Sequence, residues 1–238
     1  MRNVRETVCL MATVVVFVTC QAYGGIYDHF NNGQLDPAWN VSFQNASGWS
    51  YTESGTKLSI YDINTINSSQ DYSSVLLNQS FPATGNFEIK SGFSWDSESM
   101  LSTMQNLSIR AFSGDRIVMR AGYSDGWITH NAEIYAKIEE TLYTYDSPRD
   151  TLPYVGSVDL TMKRTNGTIS ILWNDQVILT GSCDSAIDRL AIQFDKDNYP
   201  GANFGVLSVD YITAVPEPAT MLLLSVGSCW VLSRRKRI

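Results

Sequence analysis

Between residues 23 and 213, apolar and polar residues alternate one by one along nearly every apolar stretch. A period of two commits a backbone to β-strands. In Phe87–Trp95, residues Phe87, Ile89, Phe93 and Trp95 fall on one face, and Glu88, Lys90 and Ser94 on the other. Val158, Leu160 and Met162 alternate with Asp159, Thr161 and Lys163. Asn166-Gly167 follows, a dipeptide suited to a two-residue hairpin, and Ile169, Ile171 and Trp173 then continue in phase. Asn174-Asp175 turns the chain again into Val177–Leu179, and Ser54-Gly55 turns Trp49–Tyr51 into Leu58–Ile63.

Further strands are expected at Val75–Gln79, Leu107–Phe112, Ile117–Tyr123, Ile128–Ala136, Leu142–Tyr145, Leu190–Phe194 and Val206–Thr213. Only Ala132–Thr141 reads ambiguously between helix and strand. About a dozen short antiparallel strands in one domain imply two sheets packed face to face, since one open sheet that wide leaves an apolar face in water. The expected fold is therefore an all-β, two-sheet antiparallel sandwich.

The chain ends have a different character. Residues 1–22 read as a secretory signal peptide: Arg2 and Arg5, an apolar run from Val8 to Val18, then Cys20-Gln21-Ala22, with cleavage expected between Ala22 and Tyr23. That run makes about 16 Å of helix, short for a hydrocarbon core of about 30 Å. Signal peptidase is the implied partner. At the other end, Val215-Pro216-Glu217-Pro218 precedes an apolar run from Met221 to Ser233 and the basic quartet Arg234, Arg235, Lys236 and Arg237. The run is a short transmembrane helix, and the quartet belongs on the cytoplasmic side, which places the rest of the chain outside. The arrangement resembles the PEP-CTERM sorting signal. That resemblance implies that the membrane transpeptidase exosortase recognises the motif and removes the tail, so that the protein passes from an inner-membrane intermediate to the cell surface or extracellular matrix. The alternative is an ordinary single-span anchor. The expected organisation is a signal peptide over 1–22, a sandwich over 23–213 and a sorting tail over 214–238.

Six of the 17 basic residues and two of the 24 acidic ones lie in those terminal segments, so residues 23–213 keep 11 and 22, a formal charge of −11. Such a surface repels phosphate backbones and argues against nucleic acid as a partner. Neutral glycans or divalent cations suit it better. Of four cysteines only Cys183 lies between the termini, so the sandwich holds no internal disulfide and Cys183 reads as a small buried residue.

The strand pattern resembles the concanavalin A-like lectin/glucanase jelly roll, in its laminin-G-like branch. Three places carry the likeness: Tyr27-Asp28-His29-Phe30 through Trp39 as opening strand and turn, Leu160–Gly167 as a strand–Arg–Asn-Gly hairpin, and Val209-Asp210-Tyr211-Ile212 as a last strand returning beside the first. The fold admits both lectins and glycosidases, so function rests on the site.

Catalytic motifs are sparse. There are two histidines and no nucleophile elbow. Ser54-Gly55-Thr56-Lys57 matches S-x-x-K only in spelling, because it lies at a hairpin turn. Glycosidases of the resembled fold carry two glutamates and an aspartate on one strand. The nearest counterpart here, Asp96-Ser97-Glu98, lacks the second glutamate. Two strand residues at i and i+2 lie about 7 Å apart on one face, a spacing compatible with acid–base work on a glycosidic bond. For sugar stacking, Trp127 after Ser124-Asp125-Gly126 is the leading candidate, with Tyr143, Tyr145 and Tyr154 in support, while Trp39, Trp49, Trp95 and Trp173 read as core. A structural calcium ion is conceivable at Asp195 and Asp197 in Asp195-Lys196-Asp197-Asn198, or at Asp28 and Asp210, which the resemblance brings together; no other cofactor is indicated. The expectation is a non-catalytic polysaccharide-binding or matrix component. Its rivals are a glycoside hydrolase using Asp96 and Glu98, and a purely structural or adhesive surface protein.

Overall fold

The computed structural model describes residues 25–65, 72–96, 105–125, 132–139, 142–145, 155–197 and 206–216. All regular structure among them is strand. β1 (Ile26–Asp28), β3 (Ala46–Glu53), β4 (Leu58–Thr65), β6 (Phe87–Asp96), β11 (Val155–Thr165), β12 (Thr168–Trp173), β13 (Gln176–Ser182) and β15 (Val206–Pro216) form one sheet, ordered β13-β12-β11-β6-β15-β4-β3 with β1 also on β15. β2 (Asn40–Gln44), β5 (Tyr72–Ala83), β7 (Gln105–Ser113), β8 (Arg116–Asp125), β9 (Ala132–Ile138), β10 (Leu142–Tyr145) and β14 (Ile187–Asp197) form the other, ordered β10-β9-β8-β7-β14-β5-β2. All pairings are antiparallel.

The alternation explains the core. Phe93 pairs with Val158 and Ile89 with Met162, and Met162 pairs in turn with Ile171, so the apolar faces of β6, β11 and β12 coincide. Opposite them, Ile109 pairs with Ile192 and Ile192 with Leu77. All of these residues are buried, each contributing roughly 1.5–3 kcal/mol. The two layers meet where Trp95 stacks on Tyr123 at 4.7 Å between ring centroids.

Hairpin turns supply the register. Asn166 and Gly167 both have positive φ (50° and 79°), as do Asn174 and Asp175 (45° and 65°), the geometry of the two-residue turns that match strand twist. A Cβ on Gly167 would meet only Asp184 Oδ1, the end of an exposed side chain that can turn aside, so glycine is needed there for its φ. In the β3–β4 turn the central residues are Gly55 and Thr56, with Ser54 and Lys57 exchanging both backbone hydrogen bonds. Ser54 and Lys57 therefore pair as strand ends and form no catalytic couple. Lys57 Nζ instead donates to Ser94 Oγ.

Arg164 holds one end of the sandwich together. It occupies an inward register position opposite Phe87 and is buried. Its guanidinium donates to the carbonyls of Gly85 (2.7 Å), Ser185 (2.5 Å) and Ala83 (3.1 Å) and lies 4.8 Å from the Phe87 ring centroid. One cation thus ties the β5–β6 turn to the β13–β14 loop.

Several expectations need adjusting. β2 was not expected, because Asn40–Gln44 is mostly exposed and carries little alternation. The ambiguous stretch after Ala132 is strand β9, running to Ile138 rather than ending at Ala136. The last strand does not stop at Thr213. Ala214 is fully buried and pairs with both Ile89 and Ile26, Val215 pairs with Glu88, and Pro216 with Phe87. A proline is tolerated there because it ends the strand. The neighbouring of first and last strands is as the resemblance implies, with Tyr27 opposite Thr213.

Candidate functional site

Every sheet has a second face, and on the seven-stranded sheet that face carries buried polar residues. Residues at register positions turned away from the core are nevertheless buried: Ser108 on β7, Gln193 on β14, Tyr135 on β9, and Asn78 and Ser74 on β5. The cross-strand rows are explicit. One runs Ser42–Leu76–Gln193–Ser108–Gly122–Tyr135–Tyr145, and the next Asn40–Asn78–Ala191–Arg110–Arg120–Lys137–Tyr143. Gly122 sits between Ser108 and Tyr135, where a Cβ would collide with the Leu107 carbonyl oxygen.

The polar groups here form a network. Arg110 Nη2 lies 3.3 Å from Asp195 Oδ2, both side chains being 12% exposed, and Arg110 Nε donates to Ser108 Oγ at 3.1 Å. Gln193 Nε2 donates to Asp195 Oδ1. The Tyr135 hydroxyl is hydrogen-bonded with Ser108, and the Arg120 guanidinium lies 5.8 Å from the Tyr135 ring centroid. Arg189 packs 4.1 Å from the Phe112 ring centroid and donates to Asn78 Oδ1. Two buried polar atoms, Ser74 Oγ and Arg120 Nε, have no hydrogen-bond partner. Burial raises the Asp195 carboxyl above its ordinary range, against the opposing pull of Arg110. Burial likewise raises the Tyr135 phenol above its ordinary value, against the opposing effects of Arg110 and Ser108. Donors, acceptors and an aromatic ring on one face suit a polyhydroxylated ligand.

The structure collects some of the sequence candidates here and disperses others. Tyr143 and Tyr145 hold register positions on this face, opposite Lys137 and Tyr135, and Asp195 is part of its network. Asp197 stands two residues further along β14. For Asp96, Tyr143, Tyr145 and Asp197 only the backbone position is described. Asp96 ends β6 in the other sheet, remote in topology from the polar face. Asp28 and Asp210 do not converge: Asp28 pairs with Ile212 and accepts from Trp39 Nε1 and the Phe30 amide, whereas Asp210 faces Ser94 and Lys57. Among the described residues no three His, Cys, Asp or Glu side chains assemble as a metal cluster. Trp39, Trp95 and Trp173 are core, and Trp49 is half-buried against it, stacked on Tyr51. Cys183 is buried, and its thiol donates to Glu139 Oε1. Ala22, Tyr23, Glu98, Trp127, Tyr154, Glu217, Pro218 and 234–237 lie outside the described residues.

Sequence reasoning missed Arg110, Arg120, Tyr135 and Gln193. The signal was present but indirect: they are the polar or amphipathic members of apolar strands, which a period-two reading assigns to solvent.

Residues 214–237 match the PEP-CTERM protein-sorting motif. No curated protein sequence matches the chain. Among solved structures, the CBM2 module of the evolved Dit of Lactobacillus casei BL23 phage J-1 is similar over 82% of this chain and 98% of its own, with a TM-score of 0.57 and 9% identity. A pseudo β-1,3-glucanase and immunostimulatory antigen of Mycobacterium tuberculosis covers 81% and 98%, at 0.54 and 7%. A β-1,3-glucanase from Mycobacterium marinum covers 79% and 97%, at 0.53 and 8%. These likenesses concern the fold. The chain is thus an all-β jelly roll of the glucanase and concanavalin A-like type, carrying a C-terminal PEP-CTERM sorting motif.

Proposed function

We propose that this protein is a non-catalytic, polysaccharide-binding component of the cell surface or extracellular matrix, and that it binds on the polar outer face of the seven-stranded sheet. The sorting motif implies export, processing by exosortase and delivery toward the surface. The observation that carries the binding reading is the burial of Ser108, Gln193 and Tyr135 on a face that does not meet the core. Their bonds to Arg110, Asp195 and one another hold the partly exposed Arg110, Arg120 and Lys137 around them in fixed positions, as a polar binding face requires. Solved structures of similar fold include a β-1,3-glucanase and a pseudo β-1,3-glucanase.

Hydrolysis is the second reading, and one observation favours it. Asp195 and Asp197 stand at i and i+2 on β14, so their backbone positions fall on one side of the strand about 7 Å apart, as paired acid and base residues would need. Against it, Asp195 is already ion-paired with Arg110 and bonded to Gln193. A glycan array probed with the full-length chain, alongside an assay for new reducing ends, separates the readings. Retention of polysaccharide without cleavage is expected. Reducing ends that vanish in Asp195→Asn would replace binding by hydrolysis. No retention of any glycan would leave a purely structural or adhesive role.

A further inference from the structure

We propose that β2 is a self-association edge, pairing antiparallel with β2 of a second copy of this chain about a two-fold axis through Ser42.

Charge narrows the choice of surface. Residues 23–213 hold 11 basic and 22 acidic residues, about one charge in six positions, and the resulting −11 makes two copies repel. Two stretches escape this density: Pro37–Thr52 and Tyr72–Phe87 each run sixteen residues without a charge. The fold brings them together. The first supplies β2 and most of β3, and the second supplies β5. β2 and β3 end the two sheets on the same side of the sandwich, with β5 paired to β2. Two acidic copies meet there at the lowest electrostatic cost. Aromatic surface is also left there: Phe43 on β2 is 44% exposed, and Trp49 and Tyr51 on β3, stacked at 4.5 Å, are half-buried.

Natural sheets protect their free edges with charges, prolines or bulges. β3 and β13, the ends of the eight-stranded sheet, are both interrupted by register shifts. β10, at the far end of the seven-stranded sheet, lies beside β9 with its Glu133 and Lys137. β2 has none of these devices. It runs in unbroken register with β5 from Asn40 to Gln44, without charge or proline, and among the described residues it is paired with a strand on one side only. Its sequence is also self-complementary. A two-fold axis through Ser42 sets Val41 opposite Phe43 of the second copy, and both hold register positions on the core side, opposite the buried Leu77 and Val75 of β5. The exposed Phe43 ring is thereby covered by half-buried Val41, and Ser42 meets Ser42 on the polar side. The two seven-stranded sheets become one, which doubles the length of the polar face. Five residues a side make an interface below the standard size, so the dissociation constant should be on the order of 10–100 μM.

The test uses the full-length chain in detergent micelles, with Cys9, Cys20 and Cys229 changed to serine. Residues directly opposite in a sheet have Cβ atoms about 4.5–5.5 Å apart, near disulfide reach, so Ser42→Cys should form a disulfide-linked dimer under mild oxidation. Thr180→Cys, at an exposed position on β13, should stay monomeric. Sedimentation equilibrium should show a monomer–dimer equilibrium that tightens as salt rises, because screening weakens the repulsion between acidic copies. Phe43→Lys should weaken it tenfold or more, and the crosslinking decides even where that variant fails to fold. A chain that stays monomeric in both assays overturns the proposal. So does crosslinking through Thr180→Cys in preference to Ser42→Cys, or a dimer undiminished in Phe43→Lys. Laminarin, a neutral β-1,3-glucan, probes for another occupant: binding to a monomeric chain that is lost in Phe43→Lys would assign this edge to a glycan and overturn self-pairing.

Discussion

Replacing Arg164 with leucine tests how far one buried cation holds the sandwich together. The side chain is 2% exposed, no acidic partner is within ion-pair distance among the described residues, and its charge is balanced by main-chain carbonyls. Burial pulls its pKa down from the ordinary arginine value, but it remains charged at any pH the fold survives. Leucine leaves three short carbonyl bonds unmade. Each unpaired buried acceptor costs about 1–3 kcal/mol, so the gross loss is about 3–9 kcal/mol. Relief from burying a guanidinium returns several kcal/mol, and leucine retains packing against Phe87. The net expected loss is about 3–5 kcal/mol. For a domain near 200 residues that corresponds to a melting temperature lower by roughly 6–20 °C. Arg164→Lys should recover less than half, since one ammonium cannot span carbonyls on two separate loops. Urea unfolding of residues 23–216, followed by tryptophan fluorescence, supplies the measurement. A loss under about 1 kcal/mol for Arg164→Leu, at unchanged m-value, would refute the view that this residue joins the two loops.

Three further outcomes follow from local geometry. Thr56 has φ of 69°, a strained conformation for a β-branched residue, so Thr56→Gly should raise stability by about 1 kcal/mol despite glycine's greater freedom when unfolded; a loss in the same urea assay would contradict this. The Tyr211 phenol is pushed up to about 12 by burial and by its hydrogen bond to Asp159, so its contribution is complete below pH 10 and is lost as pH rises toward 12. Tyr211→Phe should therefore flatten the alkaline fall in stability over that window, and an unchanged slope would count against the shift. With Asp28, Asp195 and Asp210 each occupied by protein donors, EDTA is expected to leave the melting temperature unaltered; a fall of many degrees in a thermal scan would reveal a structural ion.

The parts of the fold legible in the sequence are those where the period of two is backed by turn chemistry. β6, β11 and β12 were readable because Phe87–Trp95 alternates cleanly and Asn166-Gly167 sets the hairpin. β2 was not, since an edge strand with one covered face needs few apolar residues. The polar face was half legible. Alternation assigns Ser108, Arg110 and Arg120 to the side away from the core, but whether residues on that side are exposed or buried depends on strands distant in sequence. The row Arg110–Arg120–Lys137 depends on the register of three strands, which no single window encodes. Asp195-Lys196-Asp197 reads locally as an oxygen-rich loop, whereas its place at the end of β14 turns Asp195 toward Arg110.

The meeting of the sandwich and the sorting motif has a mechanical consequence. The motif match begins at Ala214, yet Ala214 is buried between β6 and β1, and Val215 and Pro216 still pair with β6. A transpeptidase must draw an extended peptide into its active site, and a strand held in a sheet is unavailable to it. Pro216 has no N–H to donate, and Val215 is half-buried, so these two residues form the weakest part of β15. Releasing them sacrifices about one or two hydrogen bonds, each worth roughly 1 kcal/mol, while Ala214 stays anchored. Processing should therefore require fraying of β15 up to, and no further than, Ala214. Paired strand residues have Cβ atoms about 4.5–5.5 Å apart, near disulfide reach, so Glu88→Cys with Val215→Cys offers a lock across the registered pair. In cells that carry exosortase, the oxidised pair should accumulate uncut in the membrane, and reductant should restore cleavage. A Gly/Ser insertion between Ala214 and Val215 should speed cleavage without a matching loss of stability. Should the oxidised lock, verified by thiol labelling, be cleaved as fast as the natural chain, the enzyme cuts beyond the strand and no fraying is needed.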